Sequence, residues 1–183
     1  MIQDADVQPN HRHLSAQTLA SYASGALAPG AALVAEVHIA LCEECAGQFP
    51  AATMPQMPWL AQPSWPNAAP PPDRLNWRWA GKGMRIAHLQ GRGGIGERLY
   101  LLKAEPGAAL PRHKHQSVER VVVLQGAFLD GEERFERGDV SERDDADWHR
   151  PRATAEGCTC LVATDGPLGM CGIARWVQGF FGV

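Results

Sequence analysis

Residues 107–126 read GAALPRHKHQSVERVVVLQG and hold the pattern that decides the fold of the longer part of the chain. His113 and His115 alternate along an extended segment, so their side chains point to the same face. Glu119 follows four residues later, and the apolar strand that begins there runs directly to Gly126. Imidazole and carboxylate groups are ligands of divalent transition metals. The stretch therefore predicts a metal site carried by β-strands.

This spacing resembles the cupin signature, G-x5-H-x-H-x3-E-x6-G. Every fixed position is matched, by Gly107, His113, His115, Glu119 and Gly126. The resemblance implies a cupin barrel, which is a double-stranded β-helix or jelly-roll. It also implies a fourth ligand on a later strand, and the sequence offers His149 for it. The second cupin motif is only partly present, because FERGDV supplies the turn Gly138 without the flanking P-x-G or the trailing Asn.

Short segments with the composition of strands lie on both sides of this stretch. They are RIAHL at 85–89, RLYLL at 98–102, VERVVVLQG at 118–126, EERFERGD at 132–139 and CTCLVAT at 158–164. Short strands at close spacing, separated by Gly, Pro and Asp turns, indicate a sandwich or a small barrel. A site of three His and one Glu suits Zn, Fe, Mn, Ni or Cu, and ligand type alone does not choose among them.

A second set of metal-ligand residues lies near the start of the chain, in HIALCEEC. On a helix, at about 100° per residue, His38, Cys42 and Cys45 project from one side within roughly 60° of arc. A closed structural zinc site needs four protein ligands. His11 and His13 are the only other histidines among the first 53 residues, so one of them is expected to complete the set. The alternatives are a redox pair or two buried thiols, but nothing strand-like precedes the motif, as a thioredoxin-like pair would require.

The first 53 residues have the periodicity of helices. Leu19 and three later apolar residues repeat at i, i+3, i+4 and i+7, after Ser15 as N-cap and before a break at Pro29. A second helix follows and carries His38. About 50 residues are too few for a comfortable core, so a metal that staples the helices together would explain how this unit folds.

Charge is unevenly shared along the chain. Residues 1–53 contain one basic side chain, Arg12, against five acidic ones, a balance of −4 within an overall net charge of −3. An acidic module does not bind phosphate groups. This balance argues against direct nucleic-acid binding and favours a basic protein as partner.

Proline separates the two parts of the chain. Residues 54–72 read MPQMPWLAQPSWPNAAPPP, in which no regular element can persist. The sequence thus predicts a multi-domain α + β protein, with a helical domain at 1–53, an extended proline-rich linker at 54–74 and a cupin-like β-domain at 75–183. Trp59 and Trp65 in the linker are expected to dock onto one of the domains.

Composition is that of a globular protein, with 45% apolar and 20% charged residues. No apolar run reaches the roughly 18 residues that a membrane span needs, and the N-terminus lacks the basic start and apolar core of a signal peptide. We therefore expect a cytoplasmic protein without membrane contact. Its five cysteines fit metal ligation and free thiols better than a disulfide framework.

A helical H-x3-C-x2-C module joined by a linker to a cupin resembles the ChrR family of zinc-binding anti-sigma factors over nearly the whole chain. ASYASGAL at 20–27 also looks like the first helix of that family. In the family a histidine lies 25 residues before the one that opens the motif, and that position is His13 here. The resemblance implies two metal sites. One is an N-terminal zinc site of His13, His38, Cys42 and Cys45, and the other is a cupin site of His113, His115, Glu119 and His149 for Zn²⁺ or another divalent transition metal.

The resemblance also implies a function. The zinc module of the family clasps an extracytoplasmic-function sigma factor and blocks its access to RNA polymerase, while the cupin responds to singlet oxygen or organic peroxides and promotes release. Cys158 and Cys160 match a C-x-C of the family's cupin, and on a strand they share one face. They are either a redox element or two buried small side chains.

The alternative function is a metal-dependent cupin enzyme, such as a small dioxygenase, with the helical module as an accessory. A four-ligand zinc site on an acidic helical arm argues against it, because such an enzyme has no need of that arm. The sequence therefore predicts a regulator rather than an enzyme.

Overall fold

The computed structural model describes residues 12–49, 75–89, 96–115, 117–144 and 148–164, and the backbone of 168–170. The predicted linker lies outside the described residues, as do His11, Trp59 and Trp65. The domain boundaries at 53 and 75 therefore stay a prediction. Within the described ranges, no helix has both the length and the apolar character needed to cross a membrane.

The described part of the N-terminal unit contains three helices: α1 at Ala16–Ala23, α2 at Pro29–Leu41 and α3 at Glu43–Ala46. Ser15 caps α1 as predicted, since its hydroxyl accepts a hydrogen bond from the Thr18 amide. Pro29 is the first residue of α2. Its missing N–H is one that a first helical turn leaves unpaired in any case.

The prediction that His38, Cys42 and Cys45 project from one continuous helix is wrong. The helix α2 ends at Leu41, and Cys42 has an extended backbone with φ −119° and ψ 108° before α3 begins. On a continuous helix, positions 38 and 45 would lie about 10 Å apart along the axis, which is too far for one ion. The break at Cys42 turns the chain and brings Cys45 back towards His38.

Nine strands follow among the described residues. They are β1 (Arg78–Gly81), β2 (Met84–His88), β3 (Arg98–Ala104), β4 (His113–His115), β5 (Glu119–Asp130), β6 (Glu133–Glu136), β7 (Val140–Arg143), β8 (Arg152–Thr164) and β9 (Leu168–Met170). All five predicted segments contain a strand. The strands β1, β7 and β9 were not predicted from the sequence, and each of them has only three or four residues.

The strands form a large and a small antiparallel sheet. The large sheet has the order β1-β2-β3-β8-β5-β6, with β7 also paired to β5, and the small sheet pairs β4 with β9. The long strands β5 and β8 are at its centre. Gly126 of β5 has a φ of +68°, and a Cβ there would lie 2.0 Å from the Gly157 carbonyl oxygen. Only glycine allows β5 and β8 to approach so closely.

Both faces of the large sheet are buried. On β3, Leu99 and Leu101 pack on the side that faces the helices, whereas Tyr100 and Leu102 face the interior of the β-domain. The same alternation holds on β5, where Val122 belongs to the helical side. A sheet that is covered on both faces needs apolar residues at successive positions, which explains the uninterrupted VVVL run.

The helical unit therefore shares a hydrophobic core with the β-domain. Val34, Val37 and Ile39 of α2 are fully buried in this core. Polar contacts lie at its edge, where the carboxylate of Glu142 accepts hydrogen bonds from the Ser15 amide at 2.8 Å and the Thr18 hydroxyl at 2.5 Å. The N-terminal unit is thus docked on the outer face of the sheet.

Candidate metal centres

The four residues predicted for the N-terminal zinc site lie together, and their ligand atoms are all within 4.8 Å of one another. His38 Nε2 is 3.2 Å from Cys45 Sγ. His13 Nδ1 is 3.3 Å from Cys42 Sγ and 3.6 Å from Cys45 Sγ. For tetrahedral zinc, with bonds of about 2.0 Å to nitrogen and 2.3 Å to sulfur, the distance between an N and an S ligand is about 3.5 Å. The group therefore has the dimensions of a closed zinc site.

Each histidine of this N-terminal site presents one nitrogen to the centre, because the other nitrogen has a partner. His38 Nδ1 donates to the Gly138 carbonyl at 2.7 Å, and His13 Nε2 lies 3.2 Å from the Glu44 carboxylate. Such second partners fix the tautomer and orientation of a ligating histidine. Burial and the neighbouring Cys42 raise the pKa of Cys45 to about 11. A cation at the centre would offset the cost of ionising these buried thiols.

The four residues predicted for the cupin site also converge. Two backbone hydrogen bonds, of 3.0 and 2.9 Å, join His113 to His149 and hold β4 beside the segment that leads into β8. His115 Nε2 lies 2.8 Å from His149 Nε2 and 3.3 Å from a carboxylate oxygen of Glu119. Donor atoms at these spacings can share one ion that lies about 2.0–2.1 Å from each of them.

The electrostatics of the cupin site favour neutral imidazoles. Burial lowers the pKa of His113 to about 4 and that of His115 to about 3, and it raises the pKa of Glu119 to about 7. His113 Nδ1 donates to the Pro111 carbonyl at 2.9 Å, which leaves Nε2 with a free lone pair. Neutral imidazole is the form that binds metals, so these residues fit a metal ion.

Asp130 is a residue of this site that the sequence analysis missed. Its carboxylate, which is only 6% exposed, accepts hydrogen bonds from His149 Nδ1 at 2.9 Å and from Arg143 Nε at 3.1 Å. Burial by itself raises the pKa of Asp130, but these partners hold it below its usual range. Asp130 thus stays ionised and orients His149. In the sequence the only signal is the pair Asp130-Gly131, which reads as an ordinary hairpin turn.

A cavity of about 220 Å³ lies inside the β-domain and reaches the cupin site. Most of its wall is apolar, with Ile86, Tyr100 and Phe128 among its side chains. His113 and Glu119 form part of the same wall. Such a wall admits small uncharged molecules in preference to ions, because a buried charge without a partner is costly.

Cys158 and Cys160 face this cavity from β8. A hydrogen bond with Cys160 lowers the pKa of Cys158, and the same bond together with burial raises the pKa of Cys160. A thiol with enhanced thiolate character beside a protonated thiol suits redox chemistry. Both side chains also pack in the inner apolar cluster, and the redox role stays a prediction.

Comparison with known proteins gives a consistent result. The family model of the ChrR cupin-like domain matches residues 67–168. The chain is 32% identical to the anti-sigma-E factor ChrR of Cereibacter sphaeroides, in an alignment 208 positions long that covers 92% of this chain and 97% of that protein.

Solved structures agree with the sequence comparison. A chain in the crystal structure of Rhodobacter sphaeroides SigE in complex with the anti-sigma ChrR matches with a TM-score of 0.66 and 31% identity, over 84% of this chain and 98% of the other. A candidate acetylacetone dioxygenase of Methylibium petroleiphilum matches with a TM-score of 0.50 and 13% identity, over 61% of this chain and 91% of the other. This second likeness concerns the fold alone.

These matches confirm the predicted fold class, a cupin-like β-domain preceded by a small helical unit. The family model covers more than half of the chain, and the curated relative aligns almost from end to end. This chain therefore belongs to the ChrR family of anti-sigma factors.

Proposed function

We propose that this protein is an anti-sigma factor, which binds and inhibits an extracytoplasmic-function sigma factor and releases it on oxidative stress by singlet oxygen or organic peroxides. The observation that carries the proposal is the near end-to-end alignment with an anti-sigma factor, in a chain that also assembles both groups of metal-ligand residues. A relative of known structure forms a complex with SigE, which supports a sigma factor as partner. Because sigma factors act on RNA polymerase, we propose a cytoplasmic location.

Zinc is the metal we assign to the N-terminal site. Two thiols and two imidazoles at tetrahedral spacing suit Zn²⁺. The helices α1 and α3 have eight and four residues, and isolated helices of this length are unstable in water. Zinc ligated by His13, His38, Cys42 and Cys45 joins the segment before α1 to the end of α2 and to α3. Its loss would therefore unfold the sigma-binding unit.

The sigma factor has to approach the helical unit from the side that is not docked on the sheet. Glu43 and Glu44 are exposed there, at the start of α3. Their charges suit a basic partner surface and would steer its approach. The same acidic character supports the absence of direct nucleic-acid contact.

The cupin domain is proposed as the receiver of the oxidant. His113, His115, Glu119 and His149 would hold a divalent transition metal, whose identity the ligand types do not fix. The apolar cavity gives small uncharged oxidants access to this site, where imidazole and thiol groups are oxidisable. Family membership favours this regulatory role over that of a dioxygenase-like enzyme.

A transcriptional reporter tests the proposal in cells that contain the cognate sigma factor. The wild-type chain is expected to repress the reporter and to release it when a singlet-oxygen source is switched on. Cys45→Ser should leave the reporter active in both conditions, since the zinc unit unfolds. His113→Ala should repress without responding to the oxidant. Glu132→Gln, an exposed change in the β5–β6 turn, serves as the matched control and should behave like the wild type.

Two results would contradict the proposal. Failure of the wild-type chain to repress any extracytoplasmic-function sigma factor of the source organism would exclude the anti-sigma role. A full oxidant response in His113→Ala would exclude the cupin metal as receiver and direct attention to Cys42 and Cys45.

A further inference from the structure

A continuous chain of ion pairs leads from the cupin site to the surface of the β-domain. His149 Nδ1 lies 2.9 Å from Asp130 Oδ2. Arg143 donates from Nε to Asp130 at 3.1 Å and from Nη2 to Glu133 at 2.6 Å. The other oxygen of Glu133 accepts from Arg12 Nη1 at 2.7 Å. Five charged or polar side chains are thus joined, and the last of them, Arg12, comes from the N-terminal unit.

The far end of this chain adjoins the N-terminal zinc site. Arg12 directly precedes His13 in the sequence, and its backbone is fixed at both polar groups. Its N–H donates to Asp139 Oδ1 at 3.2 Å, and its carbonyl accepts from the Val140 amide at 3.0 Å. The Gly138 carbonyl accepts from His38 Nδ1 at 2.7 Å. The turn at 137–139 therefore contacts one histidine ligand of the N-terminal site, His38, and the residue directly before the other, Arg12.

Apart from His149 at one end and Arg12 and His38 at the other, the residues that make these contacts lie in or beside one element. We call it the β6–β7 segment, which comprises residues 133–143 and whose two strands both pair with β5. Its C-terminal end also adjoins the cupin site, because Arg143 on β7 lies opposite Glu119 on β5 in the register of the sheet. The turn between its two strands contacts Arg12 and His38. One segment thus touches ligand-bearing parts of both candidate metal centres.

The two arginines in this series of ion pairs pack on the same aromatic ring. Arg12 and Arg143 each lie over the Phe135 ring, with guanidinium carbons 5.5 and 5.9 Å from its centroid. Glu133 forms ion pairs with both arginines. Its hydrogen bond from Arg143 outweighs the effect of burial and holds the pKa of Glu133 below the usual range. A single exposed ion pair contributes little, but a network of pairs packed on an aromatic ring is held more firmly.

We infer that the β6–β7 segment couples the two metal centres, through Arg12, Glu133, Arg143, Asp130 and His149. This inference rests on the proposed function, for which it supplies the route from the receiver to the sigma-binding unit. A cation bound by His149 through Nε2 would make its Nδ1–H a stronger donor to Asp130. The balance between the two ion pairs of Arg143, with Asp130 and with Glu133, would then change, and the change would pass to Arg12 and to His13 beside it. Coupling of this kind is reciprocal, so each metal must alter the affinity of the other site.

The test measures this coupling in the full chain without any sigma factor. Co²⁺ bound at the N-terminal site gives thiolate-to-metal absorption, whereas the cupin site has no thiolate ligand. Displacement of Co²⁺ by Zn²⁺ therefore reports the affinity of the N-terminal site alone. The coupling factor is the ratio of this affinity in the wild type to that in His115→Ala, in which the cupin site is impaired.

We expect a coupling factor of roughly fivefold or more in the wild-type background. Glu133→Gln, which keeps the shape and removes the charge, should reduce the factor to about one, and Arg12→Gln should do the same by cutting the chain at its exposed end. Glu136→Gln is the matched control. Glu136 lies on the same strand and pairs with Arg134 at the surface, so this variant should keep the wild-type factor.

The inference is overturned by a coupling factor of one in the wild type. It is also overturned if Glu133→Gln and Arg12→Gln both retain the wild-type factor, because the ion pairs would then transmit nothing. Neither result affects sigma-factor binding, which the reporter measures separately. Conversely, failure to bind a sigma factor would leave the coupling factor intact, so the two ideas can fail independently.

Discussion

Replacement of Glu97 removes a contact that caps helix α2 from the β-domain. The two carboxylate oxygens of Glu97 accept hydrogen bonds from the amides of Gly30 and Ala31, at 2.7 and 2.8 Å. The N-cap residue of α2 itself, Ala28, offers no side-chain acceptor. Glu97 therefore supplies both the missing cap and a negative charge at the positive end of the helix dipole.

The expected loss of stability follows from these two contributions. A side-chain cap stabilises a helix by about 1 kcal/mol, and a carboxylate at the N-terminus adds about 0.3–1 kcal/mol. Because two amides lose their acceptor in Glu97→Ala, we expect a loss of about 2 kcal/mol. For a chain of this size, that loss lowers the midpoint of thermal unfolding by about 4–8 °C.

Circular dichroism of the zinc-loaded full chain measures the effect. Glu97→Gln should show about half the loss, since an amide oxygen still accepts one bond but carries no charge. Glu132→Ala, in an exposed turn, is the matched control and should change stability by less than about 0.5 kcal/mol. If Glu97→Ala unfolds at the same temperature as Glu132→Ala, the carboxylate does not cap α2 and the reasoning is refuted.

Three further predictions concern the fold, its pH dependence and the metal content. Gly126→Ala should lower the free energy of unfolding by about 3 kcal/mol or more, because its Cβ would meet the Gly157 carbonyl oxygen at 2.0 Å. Gly131→Ala, with a φ of +61° and no described atom within 4 Å, should lower it by about 1–2 kcal/mol. Denaturant unfolding measures both losses, and equal losses would contradict the close approach at Gly126. Burial raises the pKa of Glu142, but hydrogen bonds from Thr18 and Ser15 lower it below its ordinary value of 4.5, so its stabilising contribution is present at neutral pH and lost as the pH falls below that value. Glu142→Gln should therefore reduce the difference between the unfolding midpoints at about pH 7 and about pH 3, and an unchanged difference would argue against these bonds. Finally, His115→Ala should lose the cupin metal, which elemental analysis measures. It should keep the Co²⁺–thiolate absorption of the N-terminal site, which spectroscopy measures. An unchanged metal content would exclude His115 as a ligand.

Short stretches of sequence predict much of the fold and of both candidate metal centres. The alternation of His113 and His115 requires one face of a strand, and the close spacing of Cys42 and Cys45 limits how far apart the thiols can lie. His13 and His149 are different, because each joins its group from a distant part of the chain. Only the resemblance to a family could select them.

The remaining features depend on contacts that leave no local pattern. Arg12 and Glu133 are 121 positions apart, and neither has a neighbour in the sequence that indicates an ion pair. Glu97 caps helix α2 through the amide of Gly30, which lies 67 positions earlier. The VVVL run in β5 predicted a buried strand, but nothing in it indicates that helices cover one of the two faces.

The central claim is that the zinc-bound helical unit holds a sigma factor. Size-exclusion chromatography with light scattering tests it directly, on mixtures of the full chain with an extracytoplasmic-function sigma factor of the source organism. We expect a 1:1 complex for the wild type and for His115→Ala, and separate components for Cys45→Ser or after removal of zinc by a chelator. Absence of a complex with the wild-type chain, or a complex that survives complete loss of the N-terminal zinc, would contradict it.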